Sequence, residues 1–162
     1  MSRWLINAFF GVEEKIERAV KDPDAAFHFI KVRPVITQDP NSPYSQYYDE
    51  AMQNAIKSVH AYEFIYDNFI SEDSPYYEQI LENSSNQVMG AYNLLDKKII
   101  TEDSPYYDNA MKTLLHEAPG FVNRLALDRI ISEDSPYYNE AKAISDPVRS
   151  RLDISDSSKE NE

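Results

Sequence analysis

Tyrosines and carboxylates recur together along this chain, in a phrase that reads Ile-Ser/Thr-Glu-Asp-Ser-Pro-Tyr-Tyr. The phrase spans residues 70–77, 100–107 and 131–138, and a degenerate copy, Ser-Gln-Tyr-Tyr, spans residues 45–48. Tyrosine is a favoured anchor in protein interfaces because it buries a large area at a small entropic cost. Carboxylates beside aromatic rings suit a partner that carries Lys or Arg, through ion pairs and cation–π contacts. The phrase is therefore a candidate binding element for a basic partner.

The candidate partner-binding residues are the paired tyrosines and the acid pairs of these phrases. One ring of each tyrosine pair is expected to pack on its own helix one turn later, which locks the loop onto the helix. The second ring of each pair is expected to be exposed to a partner, among the carboxylates. The candidate set is Tyr47, Tyr48, Tyr76, Tyr77, Tyr106, Tyr107, Tyr137, Tyr138, Glu72, Asp73, Glu102, Asp103, Glu133 and Asp134.

The other reactive side chains form no catalytic or metal-binding pattern. The histidines, His28, His60 and His116, stand apart in the sequence, and none completes the Glu-x-x-His spacing of a di-iron helical bundle. The Glu-Asp pairs stand in loops that are too short for a calcium loop and lack its glycine. The chain has no cysteine, so disulfides and thiolate metal sites are excluded. We therefore expect no catalytic residue, metal or cofactor.

The net charge limits the classes of partner. The chain has 28 Asp and Glu against 16 Lys and Arg, a formal net charge of −12. Direct nucleic-acid binding needs clustered Lys and Arg, so it is not expected. No apolar run approaches the roughly 18 residues of a membrane-spanning helix, and residues 1–14 lack the cleavage site of a secretory signal. These features predict a soluble, cytoplasmic protein with a basic or amphipathic protein partner.

The phrase also predicts the elements that position these side chains. Serine at an N-cap, proline at the first helical position and acids just before them are typical of a helix start. A period of about 30 residues indicates one helical unit that is used several times. A break or kink is expected at Pro119, between Ala118 and Gly120. The predicted helices span about residues 45–69, 74–99, 104–130 and 135–144.

The predicted fold class is all-α, an up-down antiparallel bundle of about five helices built from these repeats. Successive helix starts would then alternate between the two ends of the bundle. The loops at Ser74 and Ser135 would share one end, and those at Ser45 and Ser104 the other. The alternative is a short helix-turn-helix solenoid, in which each repeat is a pair of helices. The polar stretch over residues 82–86 and the expected break at Pro119 favour that alternative.

One helical-repeat domain is predicted over residues 1–146. It would comprise an amphipathic helix over residues 1–21, an irregular connection over 22–44 and the repeat region over 45–146. Residues 147–162 are polar and charged, and are predicted to be a disordered acidic tail.

These observations predict a non-catalytic protein–protein interaction module: an adaptor, a chaperone-like binder or an inhibitor with an acidic, tyrosine-rich surface. One alternative is an enzyme or small-ligand binder, which would need a buried cavity with convergent polar groups inside the bundle. The other is a homo-oligomeric structural component, whose mass in light scattering would depend on concentration.

Overall fold

The structure is a computed structural model, and it describes residues 14–32, 42 and 44–144. All regular structure in these residues is helical, which confirms the predicted all-α class. The chain divides into two compact units, residues 1–83 and residues 84–162, which are described separately below.

Three predicted features lie wholly or partly outside the described residues. They are the first part of the N-terminal amphipathic helix, the second half of the irregular connection, and the tail over residues 147–162. The first half of that connection is not irregular as predicted, because Pro23–Val32 is a helix that Pro23 opens. The predicted extent of the domain, residues 1–146, stays a prediction.

The first unit begins with helices that the Asp-Pro-Asp segment separates. Asp22 Oδ1 accepts a hydrogen bond from the Ala25 amide at 2.8 Å, and Pro23 opens the following helix. The segment therefore ends one helix and also starts the next, as an N-cap followed by proline does. The helices of this unit are α1 (14–19), α2 (Pro23–Val32), α3 (Tyr48–Ala55), α4 (Glu63–Tyr66) and α5 (Tyr77–Ser85). A 3₁₀ turn at Ser45–Tyr47 precedes α3. The last two residues of α5 belong to the second unit.

The core of the first unit is aromatic and aliphatic. α2 packs against α3, and Asn54 of α3 donates to the Val20 carbonyl at 2.9 Å. The Phe64 ring lies 4.8 Å from the Phe27 ring and 5.5 Å from the Phe69 ring, measured between centroids. Phe27 and Phe64 are fully buried, so this cluster holds α2 to α4.

The second unit contains the later helix pairs. In it, α6 (Val88–Asp96) packs against α7 (Tyr107–Glu117), and α7 packs against α8 (Pro119–Leu127). The Tyr92 ring of α6 stacks on the Phe121 ring of α8, with 4.5 Å between centroids. Leu94, Met111 and Leu125 are fully buried at the centre of the unit. The last described helix of this unit is α9 (136–144).

The prediction of one long helix per repeat is wrong. The predicted helix over residues 74–99 is the pair α5 and α6, because Gln87 adopts an extended conformation between them (φ −128°, ψ 134°). The predicted helix over residues 104–130 is the pair α7 and α8, with Pro119 as the first residue of α8. Turns over residues 56–62 likewise divide α3 from α4. Both breaks that favoured helix pairs are present, and the last predicted helix is confirmed as α9.

Three helix pairs end in the same way, in a left-handed residue followed by two apolar residues. In the copy after α6, the Lys98 amide donates to the Leu95 carbonyl and the Ile99 amide donates to the Leu94 carbonyl, both at 2.9 Å. This pair of bonds is a Schellman motif, which satisfies the last carbonyls of a helix and turns the chain sharply. The left-handed residues are Asn68 (φ 56°), Lys98 (φ 57°) and Arg129 (φ 58°).

Replacing Arg129 with glycine should stabilise the protein. A side chain with a Cβ is disfavoured at left-handed φ, and glycine is not. We expect the free energy of unfolding to rise by about 0.5–1 kcal/mol, measured by urea denaturation. Arg129→Ala removes the same charge but keeps a Cβ, so it should give no gain. An equal gain from both variants would show that charge, not backbone conformation, is responsible.

Candidate partner-binding surface

The three Glu-Asp pairs lie on turns that directly precede helices, and all six acids are exposed. Each turn is closed by a backbone bond, in which the amide of the phrase serine donates to the carbonyl three residues earlier. The N–O distances are 3.0 Å at Ser74, 2.8 Å at Ser104 and 3.0 Å at Ser135. The repeated turn therefore presents carboxylates to solvent in three copies: Glu72, Asp73, Glu102, Asp103, Glu133 and Asp134.

In two copies the phrase serine accepts a hydrogen bond in the turn that leads into the helix, whereas α5 and α7 begin at the second tyrosine and not at the proline as predicted. Ser74 Oγ accepts from the Tyr76 amide, and Ser104 Oγ accepts from the Tyr106 amide, both at 3.3 Å. These bonds satisfy amides that have no partner inside the helix. In these two copies the serine bond is part of what holds the turn in place.

The degenerate first copy is capped differently from the prediction. Ser45 Oγ donates to the Ser42 carbonyl at 2.8 Å instead of capping the helix. Ser42 Oγ accepts from the Tyr44 amide at 3.2 Å, which repeats the geometry of the later serines. Ser42 therefore takes the place of the later phrase serines in this copy.

The expectation of an exposed tyrosine ring in each phrase is not met. Tyr76 and Tyr107 are buried, each 9% exposed, and the other six phrase tyrosines are partly buried. Tyr76 is the first tyrosine of its pair, whereas Tyr107 is the second of its pair. A role for these eight tyrosines in binding a partner stays a prediction.

In the first unit, a buried tyrosine joins one phrase to the preceding one. The Tyr76 hydroxyl donates to Asp49 Oδ1 at 2.9 Å, and Asp49 directly follows the tyrosines of the first copy. The Tyr76 ring also meets the Tyr48 ring edge to face, with 6.5 Å between centroids and an interplanar angle of 77°. We call this arrangement of a tyrosine on the preceding Tyr-Asp dipeptide the phrase clasp.

The second unit contains the same phrase clasp. The Tyr137 hydroxyl donates to Asp108 Oδ1 at 2.7 Å. The Tyr137 ring meets the Tyr107 ring edge to face, with 6.1 Å between centroids and the same 77° angle. Because both units repeat the geometry, the clasp is a property of the repeated phrase and not of one local environment.

The phrase clasps contradict the predicted alternation of helix starts. Phrases that follow one another in the chain lie side by side in each unit, so their helix starts cannot stand at opposite ends of a bundle. The reason is that each repeat is a pair of helices and returns the chain to where it began. The hydrogen-bonding role of Asp49 and Asp108 was not predicted. A sequence signal for it exists, because Asp follows the tyrosine pair only in the first and third copies of the phrase.

The clasped tyrosines are held in their neutral form. Burial, and then the hydrogen bond to Asp49, raise the pKa of Tyr76 to about 12. Burial and the hydrogen bond to Asp108 likewise raise the pKa of Tyr137 to about 12. A phenolate beside a carboxylate in a desolvated position is unfavourable. These hydroxyls therefore act as hydrogen-bond donors at neutral pH.

The raised pKa values predict a loss of stability at alkaline pH. An unfolded tyrosine has a pKa of about 10, so the folded chain holds the phenolic protons more tightly than the unfolded chain does. Their contribution is complete below pH 10 and is lost as the pH rises through about 12. For Tyr76, the slope should approach about 1.4 kcal/mol per pH unit at most. Urea denaturation of Tyr76→Phe and Tyr137→Phe across this range should show a shallower slope, and an unchanged slope would contradict the assignment.

Two polar clusters in the first unit were not foreseen from the sequence. Lys31 is hydrogen-bonded to Glu63 and lies 3.0 Å from Asp67 Oδ2. Burial lowers the pKa of Lys31, but these two carboxylates outweigh burial and raise it above its ordinary value. The rings of His28 and His60 lie 6.4 Å apart between centroids. Residues this far apart in the chain meet only through the packing of α2 on the later helices, which no local pattern reports.

Among the described residues, no group of three or more His, Asp and Glu side chains could hold a metal ion. No known protein family, curated protein or solved structure matches this chain. Within the same described part, none of the helices is long and apolar enough to cross a membrane. A functional assignment therefore rests on the chemistry of the exposed turns.

Proposed function

We propose that this chain is a non-catalytic protein–protein interaction module that binds a basic or amphipathic partner through its three Glu-Asp turns. The observation that carries the proposal is the contrast inside each phrase: the acids are exposed, whereas the tyrosines are buried or partly buried. In this proposal the carboxylates contact the partner and the tyrosines position them. The absence of cysteine suits the reducing cytoplasm, where we propose that the protein acts.

The rigidity of the turns supports the proposal. Each turn follows a Schellman motif, is closed by a backbone hydrogen bond and leads into a helix. Side chains on a preorganised backbone lose less conformational entropy on binding than side chains on a mobile loop. Three such turns, each with a Glu-Asp pair, also suit a partner that carries several basic residues.

The charge of the chain supports a basic partner. A net charge of −12 attracts cationic partners over distances longer than a single contact and accelerates their association. Because salt screens such attraction, the affinity should fall as ionic strength rises. The same charge disfavours anionic nucleic acids and anionic membranes.

The test uses a fluorescein-labelled amphipathic peptide of Lys and Leu as the probe, with fluorescence anisotropy as the readout. We expect binding that weakens severalfold between about 50 and about 200 mM salt. Neutralising any one turn with Glu→Gln and Asp→Asn, as in Glu72→Gln with Asp73→Asn, should weaken binding further. These substitutions keep side-chain shape, so the fold should be retained.

The control removes the same charge elsewhere. Glu17→Gln with Glu117→Gln neutralises two exposed carboxylates that lie outside the phrases. This variant should bind the peptide almost as the unmodified chain does. Equal weakening by the control and by the turn variants would contradict the proposal, because binding would then follow net charge alone.

A further inference from the structure

The second unit contains a groove beside one of the acidic turns. It has a volume of 270 Å³, and its lining joins the Glu102-Asp103 turn to the apolar residues that follow α8, Ile130 and Ile131. The buried Leu95 also lines the groove, and Lys98 contributes the one cation among the lining residues. The groove therefore combines aliphatic walls with carboxylates.

This combination defines the chemistry of an occupant. The groove is smaller than the roughly 300–1,000 Å³ of typical small-molecule sites, so it suits a single long side chain better than a cofactor. An arginine side chain has an apolar stem that packs on aliphatic walls and a charged head that stays near the rim. Its guanidinium is weakly hydrated and matches a carboxylate with two parallel hydrogen bonds, which an ammonium cannot do.

Tyr107 is a second feature of this groove that favours an arginine as its occupant. Its ring contributes to the groove lining, and the residue is only 9% exposed. Its hydroxyl has no hydrogen bond of good geometry among the described residues. Burial raises the pKa of Tyr107, with Glu102 adding to the effect and the Ser135 hydroxyl opposing it. An aromatic residue in the same lining as two carboxylates is a further favourable feature for a guanidinium.

We infer that this groove binds the side chain of an arginine, flanked by aliphatic residues, in a basic segment of the partner. The inference rests on the proposed function, because it names what the Glu102-Asp103 turn recognises. The charged lining residues are two carboxylates, which attract the bound arginine, and one cation, Lys98, which repels it. The groove thus makes this turn selective, whereas the remaining turns contribute charge.

The test measures binding of the full chain to a fluorescein-labelled pentapeptide with arginine between two leucines. Glu102→Gln with Asp103→Asn should weaken binding about tenfold, the loss of one good charged hydrogen-bond pair. Ile130→Ser should weaken it about fivefold by removing apolar wall. Lys98→Gln should strengthen it about twofold by removing repulsion. Replacing the peptide arginine with citrulline should abolish the effect of all three.

A matched turn and a second groove variant keep the inference falsifiable. Glu133→Gln with Asp134→Asn removes the same charge from the next turn and should change affinity less than about twofold. If Ile130→Ser does not fold, Thr101→Arg tests the groove instead, because Thr101 is an exposed lining residue whose replacement would fill the site. Thr101→Arg should weaken binding at least as much as Glu102→Gln with Asp103→Asn does.

Three outcomes would overturn the inference. If the acid variants weaken binding but Ile130→Ser and Thr101→Arg do not, the groove is not the site, although the proposed function stands. If truncation after residue 146 raises affinity for the peptide, the chain's own arginines at positions 149 and 151 occupy the groove. If the chain self-associates and the groove variants abolish this in light scattering, a second copy is the occupant. Insensitivity to all acid variants would instead remove the proposed function itself.

Discussion

Replacing Tyr76 with alanine is expected to lower the free energy of unfolding by about 3–5 kcal/mol, the range for a buried aromatic residue. The ring is 9% exposed and lies edge to face on Tyr48, so its removal leaves a cavity and loses an aromatic contact. The hydrogen bond to Asp49 is lost as well. Urea denaturation followed by circular dichroism measures the effect.

Tyr76→Phe separates the hydroxyl from the ring. It keeps the aromatic packing and removes only the donor to Asp49, whose exposed carboxylate water can solvate. We expect a loss of about 1 kcal/mol. If Tyr76→Ala lowers the free energy of unfolding no more than Tyr76→Phe does, the ring is not part of the core and the phrase clasp is a surface contact.

This difference decides how a binding role of the tyrosines can be tested. Alanine substitutions of the buried rings would unfold part of the chain and abolish binding for an indirect reason. Phenylalanine substitutions keep the fold, and neutralised acids change the turns without touching the core. The proposed function therefore predicts that Tyr76→Phe retains peptide binding.

Replacing Gly90 with alanine is expected to lower the free energy of unfolding by about 1–3 kcal/mol. A Cβ at this position would lie 2.5 Å from the Ser84 carbonyl oxygen and 2.9 Å from Ser84 Cβ. A backbone oxygen cannot move aside as the end of a flexible side chain can. The turn that joins Ser84 to Gly90 would have to open.

Gly120→Ala provides a matched control with the opposite sign. Gly120 also lies within a helix, α8, but a Cβ there meets nothing within 4 Å. Alanine should stabilise the chain by about 0.5–1 kcal/mol, because glycine loses more backbone freedom on folding. Destabilisation by both substitutions would contradict the assignment of the Gly90 effect to close packing.

Much of the local structure was predictable because it depends on neighbouring residues. Serine followed by proline stands just before α5, α7 and the rest of α9, and the serine bonds in the first two of these are local chemistry. The break at Pro119 follows from the missing amide and the fixed φ of proline. The exposure of the Glu-Asp pairs follows from the cost of burying unpaired carboxylates.

The arrangement of the repeats was not predictable from the same signals. A polar stretch such as residues 82–86 can continue as a helix or end one, and packing decides between them. The left-handed residues after two of the pairs are Lys98 and Arg129, which carry no sequence sign of a helix end. The pairing of Tyr76 with Asp49 joins successive repeats, so helical periodicity within one repeat does not report it.

The central claim is that the first tyrosine of a phrase holds that phrase to the preceding Tyr-Asp dipeptide. A double-mutant cycle with Tyr76→Phe and Asp49→Ala tests it most directly, with Glu50→Ala replacing Asp49→Ala as the control, since Glu50 is also an exposed acid in the first turn of α3. We predict a coupling energy of about 1 kcal/mol for Tyr76 with Asp49 and none with Glu50. Additive effects for Tyr76 and Asp49, within about 0.3 kcal/mol, would contradict the claim.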